Sequence, residues 1–385
     1  MKRVAVICVA CVIIVMCTLT VASSAMAQTL GTWEDQTQMP TPRYALAVVA
    51  LNGKIYAIGG VSNTQIESSS ANERYDPQTN RWTIMAQLPT PSSYCATVAC
   101  KGKIYILGGL TQNGSESTNL VTNQVFDPLT NSWTQMAPIP GYTWIGCSAT
   151  EVQGKIYLLG GGDGRNLVEV YDPATNSWAA RASCPEKLSW HAAAALGNKI
   201  YVLASVWPTA NSKSSISPKT LIYDVTSNAW SYGSPFHFLV QDAAVVAANA
   251  SGVPAIYLIG GQPLQVKTPG DIPLASRYVQ IYFPGGNYWV AGENTPTEHA
   301  RQGAAVVDDK IYVIGGYHST TLTTIMAPAL LGIKVTDPST GGAQGIWGPP
   351  RPTQSVVGVP ETTNQAYTFQ ENPIFIRLLQ RYHMC

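Results

Sequence analysis

The segment GKIYAIGG at residues 53–60 is a short apolar strand that ends in two glycines. Five variants of it follow along the chain: GKIYILGG (102–109), GKIYLLGG (154–161), NKIYVLAS (198–205), AIYLIGG (255–261) and DKIYVIGG (309–316). A recurrence every ~50 residues is the signature of a repeat architecture, in which neighbouring units share a core. The copies therefore predict one body built from repeated units, although 385 residues would suffice for two or three ordinary domains.

Each unit contains the sequence signals for four short strands. A small-residue strand such as ALAVVAL (45–51) is followed by Asn52-Gly53, the strongest short hairpin signal, and then by the glycine-ended strand. A third strand, ERYDP (73–77), and a fourth that carries Trp82 complete the unit. The corresponding tryptophans stand at positions 33, 82, 133, 178, 230, 289 and 347. Four strands in each repeat predict an all-β propeller, in which every unit forms one blade.

The number of blades depends on how the two ends of the chain are interpreted. Trp33 precedes the first complete unit, so its strand must belong to a blade that begins elsewhere. The segment SVVGVPETTNQAYTF (355–369) reads as a degenerate first hairpin, and IFIRLL (374–379) as a third strand. We therefore predict seven blades, the last of which is closed by the N-terminal Trp33 strand. Such closure removes exposed sheet edges. The alternative is a six-bladed ring with an appended C-terminal tail.

The N-terminus has the features of a secretory signal. Lys2 and Arg3 precede an apolar run over residues 4–21, and Ala25-Met26-Ala27 provides a cleavage site before Gln28. We therefore expect a signal peptide at 1–27, a single propeller domain at 28–385, and a secreted or periplasmic protein that leaves the membrane after cleavage. The alternative is a retained membrane anchor.

Composition narrows the possible partners and cross-links. The net charge of +1 gives no basic footprint for nucleic acid. Five cysteines remain after position 27, an odd number that leaves room for one or two disulfides but does not suggest a disulfide scaffold. The oligomeric state is left open.

The paired glycines, the tyrosines just before them and the spaced tryptophans resemble the kelch repeat, from about Trp33 to Trp347. The resemblance implies a kelch β-propeller. It implies no single function, because kelch propellers include scaffolds, receptors and several unrelated enzymes. To kelch-type sugar mutarotases and galactose oxidase-like propellers the resemblance is distant and concerns the fold only.

The geometry of antiparallel hairpins predicts where a functional site lies. Loops that lead into first strands and loops that leave second strands share one rim, and these loops vary most in length. Long loops on a rigid scaffold usually carry function. We therefore predict that a small-molecule, carbohydrate or protein ligand binds at this rim. The predicted ligand-binding residues are Asp163, Arg165, Trp190, Trp207 and His318.

The sequence leaves open whether residues on this rim also catalyse a reaction. The leading hypothesis is a binding module without a cofactor. The alternative is a small-molecule isomerase, cyclase or sugar mutarotase that uses Glu298, His299, Arg301 and His191 as catalytic groups. Cys95, Cys147 and His191 each lie ten residues before the tyrosine of their second strand. This shared register makes them a candidate zinc or copper ligand set. Leu46 and Gln302 occupy the same register and suggest packing instead.

Overall fold

A computed structural model describes residues 31–62, 67–114, 116–141, 144–161, 164–188, 190–206, 217–250, 253–264, 275–318, 335–336, 343–344, 359–360 and 364–369. These residues form six antiparallel four-stranded sheets, each of which is one blade. From the inner to the outer strand, blades 1 to 3 are Ala47–Leu51, Lys54–Ile58, Asn72–Asp76, Arg81–Ile84; Ala96–Cys100, Lys103–Leu107, Asn123–Asp127, Ser132–Gln135; and Ser148–Val152, Lys155–Leu159, Val168–Asp172, Ser177–Ala180. Blades 4 to 6 are Ala192–Leu196, Lys199–Val206, Ser217–Asp224, Ala229–Gly233; Ala244–Ala250, Val253–Ile259, Val279–Phe283, Tyr288–Ala291; and Gly303–Val307, Lys310–Ile314, Asn364–Phe369, Gly31–Asp35.

Shorter strands connect or extend the loops. They are Arg43–Tyr44, Val61–Ser62, Glu67–Ser68, Leu110–Asn113, Glu116–Asn119, Val240–Gln241, Gln262–Pro263, Tyr317–His318, Val335–Thr336, Ala343–Gln344 and Val359–Pro360. No helix long and apolar enough to cross a membrane occurs within the described ranges.

The all-β propeller architecture predicted from the sequence is confirmed, but the predicted seven blades must be corrected to six. The six inner strands contact one another in a closed ring, in which the inner strand of blade 6 lies against that of blade 1. The ring therefore has no gap for a seventh blade. The segment interpreted as a new first hairpin supplies the third strand of blade 6, Asn364–Phe369. The predicted strand at 374–379 and Trp347 lie outside the described residues.

The predicted closure by the N-terminal strand is confirmed, within blade 6. Gly31–Asp35 pairs antiparallel with Asn364–Phe369, and Trp33 lies opposite Tyr367. Trp33 also donates its indole N–H to the carbonyl oxygen of Glu293, at 3.0 Å. The first and last described strands of the chain thus share one sheet.

Apolar side chains are buried between the blades. Each of the six boundaries between neighbouring blades holds one cluster of buried apolar residues. The second strands are almost wholly buried because both of their faces pack against neighbouring blades, which explains why they are continuously apolar.

A tryptophan on each outer strand joins its blade to the preceding one. The indole N–H donates to a main-chain carbonyl oxygen just after the outer strand of the preceding blade. The pairs are Trp82 to Thr37, Trp133 to Ala86, Trp178 to Ala137, Trp230 to Ala182, Trp289 to Ser234 and Trp33 to Glu293. Trp33 occupies the sixth equivalent position, which explains why a tryptophan precedes the first complete repeat.

The paired glycines make room for the next blade. Gly59 has a φ of +64°, and a Cβ atom there would lie 2.3 Å from the carbonyl oxygen of Ser92 in the segment that leads into blade 2. Blade 4 replaces the glycines with Ala204 and Ser205. There the second strand continues to Val206 and pairs with an equally long third strand. This copy can lose its glycines because its chain does not turn at that point.

Candidate functional site

The structure places the lead-in segments of first strands beside the segments that leave second strands, on one rim, as the sequence predicts. Arg43–Tyr44 pairs with Val61–Ser62, and Val240–Gln241 pairs with Gln262–Pro263. Further bridges join Ser93 to Leu110, Arg165 to Leu188 and Ala300 to Tyr317. We call this the variable-loop rim. The opposite rim carries the short turns between first and second strands and between third and fourth strands.

Six residues with left-handed backbone surround the channel mouth on the variable-loop rim, one before each inner strand. We call them the collar. They are Ala45, Tyr94, Gly146, Trp190, Asp242 and Arg301, with φ values between 52° and 61°. Main-chain hydrogen bonds link neighbours in this ring, from Ala45 to Arg301, Tyr94 to Ala45, Gly146 to Tyr94 and Arg301 to Asp242. Because the collar backbone is fixed, each collar side chain projects from an equivalent position.

Four collar side chains meet above the channel. The guanidinium of Arg301 donates through Nε to Asp242 Oδ2 at 3.0 Å and through Nη1 to the Tyr94 hydroxyl at 2.7 Å. It also lies over the rings of Tyr94 and Tyr317, 5.2 and 5.5 Å from their centroids. Tyr94 in turn meets Trp190 edge to face, with ring centroids 5.4 Å apart.

The two small collar residues make these contacts geometrically feasible. Arg301 of blade 6 reaches Tyr94 of blade 2 past Ala45, and Trp190 of blade 4 reaches it past Gly146. A Cβ atom on Gly146 would lie 2.9 Å from Cε3 of Trp190. Gly146 therefore sets the position of the Trp190 indole.

The electrostatics of the collar keep its charges paired. Burial lowers the pKa of Arg301, but Tyr94, Asp242 and Tyr317 together raise that pKa by more, so the guanidinium stays charged. Burial raises the pKa of Tyr94, and the positive charge of Arg301 opposes that rise. The Asp242 side chain is only 6% exposed and that of Arg301 29%. The collar thus carries one ion pair with no net charge.

A cavity of about 120 Å³ opens at the collar. Its wall consists of the collar residues together with the first residue after each of them: Ala45, Leu46, Tyr94, Cys95, Gly146, Cys147, Trp190, His191, Asp242, Ala243, Arg301 and Gln302. The structure therefore brings Arg301, Trp190 and His191 to one site, as the sequence predicts.

The other predicted catalytic residues lie elsewhere. His299 is fully buried between blades, where Nε2 lies 2.9 Å from Thr297 Oγ1 and 3.2 Å from Gln365 Oε1. Glu298 is half-buried, and neither residue lines the cavity. The expectation that both act at the channel mouth is corrected, because the chain at 298–299 passes between blades before it reaches the collar.

The predicted ligand-binding residues meet with different outcomes. Arg165 lies on the variable-loop rim through its bridge to Leu188 but does not line the cavity. His318 belongs to the two-residue strand Tyr317–His318, which pairs antiparallel with Val359–Pro360 on the same rim. Asp163, Trp207 and the His318 side chain lie outside the residues that the structure describes.

The predicted metal ligands do not form a metal site. Within the described part of the chain, no three His, Cys, Asp or Glu side chains are placed to hold a metal ion. Burial raises the pKa of Cys95 and of Cys147 to about 12, so both side chains are protonated thiols in this structure. Cys147 donates to the Trp144 carbonyl oxygen, and His191 Nε2 lies 2.8 Å from Ser148 Oγ. Their shared register reflects packing under the collar. Cys95, Cys100, Cys147 and Cys184 are all free, and Cys385 lies outside the described residues.

Comparison with known families decides the relationship. A family model described as the Attractin/LZTR1 β-propeller matches residues 74–326, well over half of the chain. The model of the kelch motif matches residues 42–89. The chain belongs to the kelch-repeat β-propeller family.

Curated relatives of this kelch propeller are longer proteins. Kelch-like protein 36 from Rattus norvegicus is 27% identical over 291 residues, which cover 71% of this chain and 44% of that protein. Kelch repeat and BTB domain-containing protein 12 from Homo sapiens is 26% identical over 156 residues, 38% of this chain and 24% of that protein. The chain thus spans less than half the length of these relatives. The solved structure of YjhT superposes with a TM-score of 0.61 at 16% identity, covering 74% of this chain and 93% of that chain, a likeness of fold.

Sequence reasoning about the kelch propeller missed Tyr94, Gly146 and Asp242. A signal existed for the first two, because five collar residues stand eleven positions before the tyrosine of their second strand. Asp242 stands fifteen positions before Tyr257. The hairpin of blade 5 is longer, so this signal would not have found Asp242.

We expect His191 to make the stability of the kelch propeller depend on pH. Burial lowers the pKa of His191 from 6.5 to about 4. Between these values the unfolded chain binds a proton that the folded protein does not, so acidification favours unfolding. The expected contribution is a loss of about 3 kcal/mol of unfolding free energy between pH 6.5 and pH 4. Urea unfolding across this range measures it.

The matched variants are His191→Gln and His237→Gln. Glutamine is the residue at the equivalent position of blade 6, where Gln302 donates to the Ile259 carbonyl oxygen. His191→Gln should unfold with a flatter pH dependence than the wild type, whereas His237→Gln, at an exposed position, should not. Equal pH slopes for His191→Gln and the wild type would contradict the expectation.

Proposed function

We propose that this kelch propeller binds a protein partner through the collar and the loops around it on the variable-loop rim. The observation that carries the proposal is the set of collar side chains. Six structurally equivalent positions hold six different residues, among them arginine, tryptophan and tyrosine, the residues most enriched in binding hot spots. On the opposite rim, the turns between third and fourth strands instead repeat one residue type, an asparagine with left-handed backbone: Asn80, Asn131, Asn176, Asn228 and Asn287.

The size of the cavity favours a macromolecular partner over a small molecule. Pockets that enclose a small-molecule ligand span roughly 300–1,000 Å³, whereas the cavity at the collar has about 120 Å³. A space of this size takes the end of one side chain while the surrounding loops contact the rest of the partner. The isomerase or mutarotase alternative gains no support, since Glu298 and His299 lie away from the cavity.

The proposal includes secretion. Lys2 and Arg3, the apolar run at 4–21 and the small residues before Gln28 support export to the outside or the periplasm. Mass spectrometry of the protein recovered from its native compartment should find an N-terminus at Gln28. An N-terminus at Met1 would contradict secretion by cleavage.

Site-specific photo-cross-linking in the native compartment tests which face binds the partner. A photoreactive residue at Lys187, which is exposed on the variable-loop rim, should give defined protein adducts. The same residue at Leu129, in an opposite-rim turn and 89% exposed, should not. Trp190→Ala should lower the adduct yield at Lys187 at least tenfold, the loss of about 1.4 kcal/mol expected for a modest hot spot.

The control variant is Leu129→Ala, which should leave the adduct yield unchanged. Urea unfolding of both variants separates lost binding from lost folding. Defined adducts at Leu129 but not at Lys187, or an unchanged yield in a folded Trp190→Ala protein, would refute the proposed binding face.

A further inference from the structure

The Arg301–Asp242 pair at the cavity leaves two complementary atoms unpaired. Arg301 contacts Asp242 through Nε and Oδ2 alone, although an arginine and a carboxylate can form two parallel hydrogen bonds. Among the hydrogen bonds of the described residues, none involves Nη2 of Arg301 or Oδ1 of Asp242. Both residues line the cavity, so one free donor and one free acceptor belong to its wall.

Charge decides what kind of group satisfies both atoms. The cavity wall carries one positive and one negative charge, and the low pKa of His191, about 4, keeps that side chain neutral at physiological pH. A carboxylate in the cavity would be attracted by Arg301 and repelled by Asp242 at similar range, so the two effects largely cancel. An ammonium group would be attracted by Asp242 and repelled by Arg301, so these two effects also largely cancel. The site therefore favours a neutral group that both donates and accepts hydrogen bonds.

We infer that the cavity binds the primary carboxamide end of a glutamine or asparagine side chain. The carboxamide oxygen accepts from Nη2 of Arg301, and its NH₂ group donates to Oδ1 of Asp242. The Tyr94 hydroxyl, which accepts from Arg301 Nη1, keeps its own proton as a second donor to that oxygen. The Trp190 indole, held in place by Gly146, packs against the methylene groups.

The volume agrees with this occupant. A cavity of about 150 Å³ holds benzene, which has six heavy atoms, so a cavity of about 120 Å³ suits roughly five. The side chain of glutamine has this size. The inference rests on the proposed function, because a protein partner supplies the side chain, but its chemistry can be tested without the partner.

The experiment uses propanamide, propionate and propylammonium as probes of the full chain, in saturation-transfer NMR titrations. Propanamide should bind at least tenfold more tightly than propionate or propylammonium. Asp242→Asn leaves the cavity with a net positive charge, so it should reverse the order and favour propionate. Asp309→Asn is the matched control, an exposed residue in an opposite-rim turn, and should keep the wild-type order.

Urea unfolding establishes that each variant is folded, and Asp242→Ser supplies the same loss of charge if Asp242→Asn does not fold. Preference for propionate in the wild type, no saturable binding of propanamide, or an order unaffected by the Asp242 variants would overturn the inference. These outcomes are independent of cross-linking. If cross-linking gives no adducts on the variable-loop rim while the cavity still prefers propanamide, only the proposed binding face for a protein partner is refuted.

Discussion

Deletion of Gly31–Asp35 is expected to abolish cooperative folding of the propeller. This strand is the outer strand of blade 6 and pairs along its whole length with Asn364–Phe369. The segment that follows then joins blade 1, where the Thr37 N–H donates to Asn80 and the Trp82 indole donates to the Thr37 carbonyl oxygen. One short segment thus links the blades on both sides of the closure.

The size of the effect follows from what the deletion exposes. Loss of the Trp33 side chain alone is expected to cost roughly 3 kcal/mol, toward the low end for a large aromatic residue because the ring is half-buried. Loss of a whole strand adds unpaired backbone groups and an open sheet edge. The sum is comparable to the entire stability of an ordinary domain, about 5–15 kcal/mol.

Urea unfolding followed by circular dichroism measures this effect in a graded series. Thr32→Ala, at an exposed position of the same strand, should unfold like the wild type. Trp33→Ala should lower the midpoint, and the deletion should show no cooperative transition. A deletion variant with the wild-type midpoint would show that this strand does not close the ring.

Glu73→Ala is expected to destabilise the protein by about 3–5 kcal/mol, because it leaves the buried charge of Arg43 without its partner. The Arg43 side chain is fully buried and Glu73 is 3% exposed, with 2.7 Å between Nη2 and Oε2. Burial lowers the pKa of Arg43, and the carboxylate of Glu73 counteracts this. Thr41 completes the pair by donating to the other oxygen of Glu73.

Blade 2 supplies the matched control for this prediction. At the equivalent positions it carries Ser92 and Gln124, a neutral pair that is joined by a hydrogen bond of 3.4 Å. The double variant Arg43→Ser/Glu73→Gln should therefore recover at least half of the stability that Glu73→Ala loses. Chemical denaturation of the three proteins measures the difference. A Glu73→Ala protein within 1 kcal/mol of the wild type, roughly the value of a surface ion pair, would contradict the account.

Local sequence signals predicted the blades well because each blade is a local structure. The Asn-Gly turns, the glycine pairs and the spaced tryptophans each act within one repeat or between neighbours. Trp33 could be assigned to the closing blade from its position alone, since an outer-strand tryptophan without preceding strands needs a partner from the other end of the chain.

The spacing of the repeats predicted seven blades instead of six for a particular reason. In blade 6 the second strand ends at Ile314 and the third begins at Asn364. This interval is about as long as a complete repeat. The third strand, which contains Tyr367, therefore fell where the second strand of a new unit was expected. Only the packing of six inner strands into a closed ring determines that no further blade fits.

The sequence by itself determined the fold class, the strand order within a blade, the closing strand and the rim on which the variable loops lie. Only the tertiary structure determined the site on that rim. Arg301 meets Asp242, 59 residues away, and Tyr94, 207 residues away. Hydrogen bonding within a blade depends on neighbouring strands, whereas the collar depends on which blades the closed ring places side by side and on the small residues, Ala45 and Gly146, that let longer side chains pass.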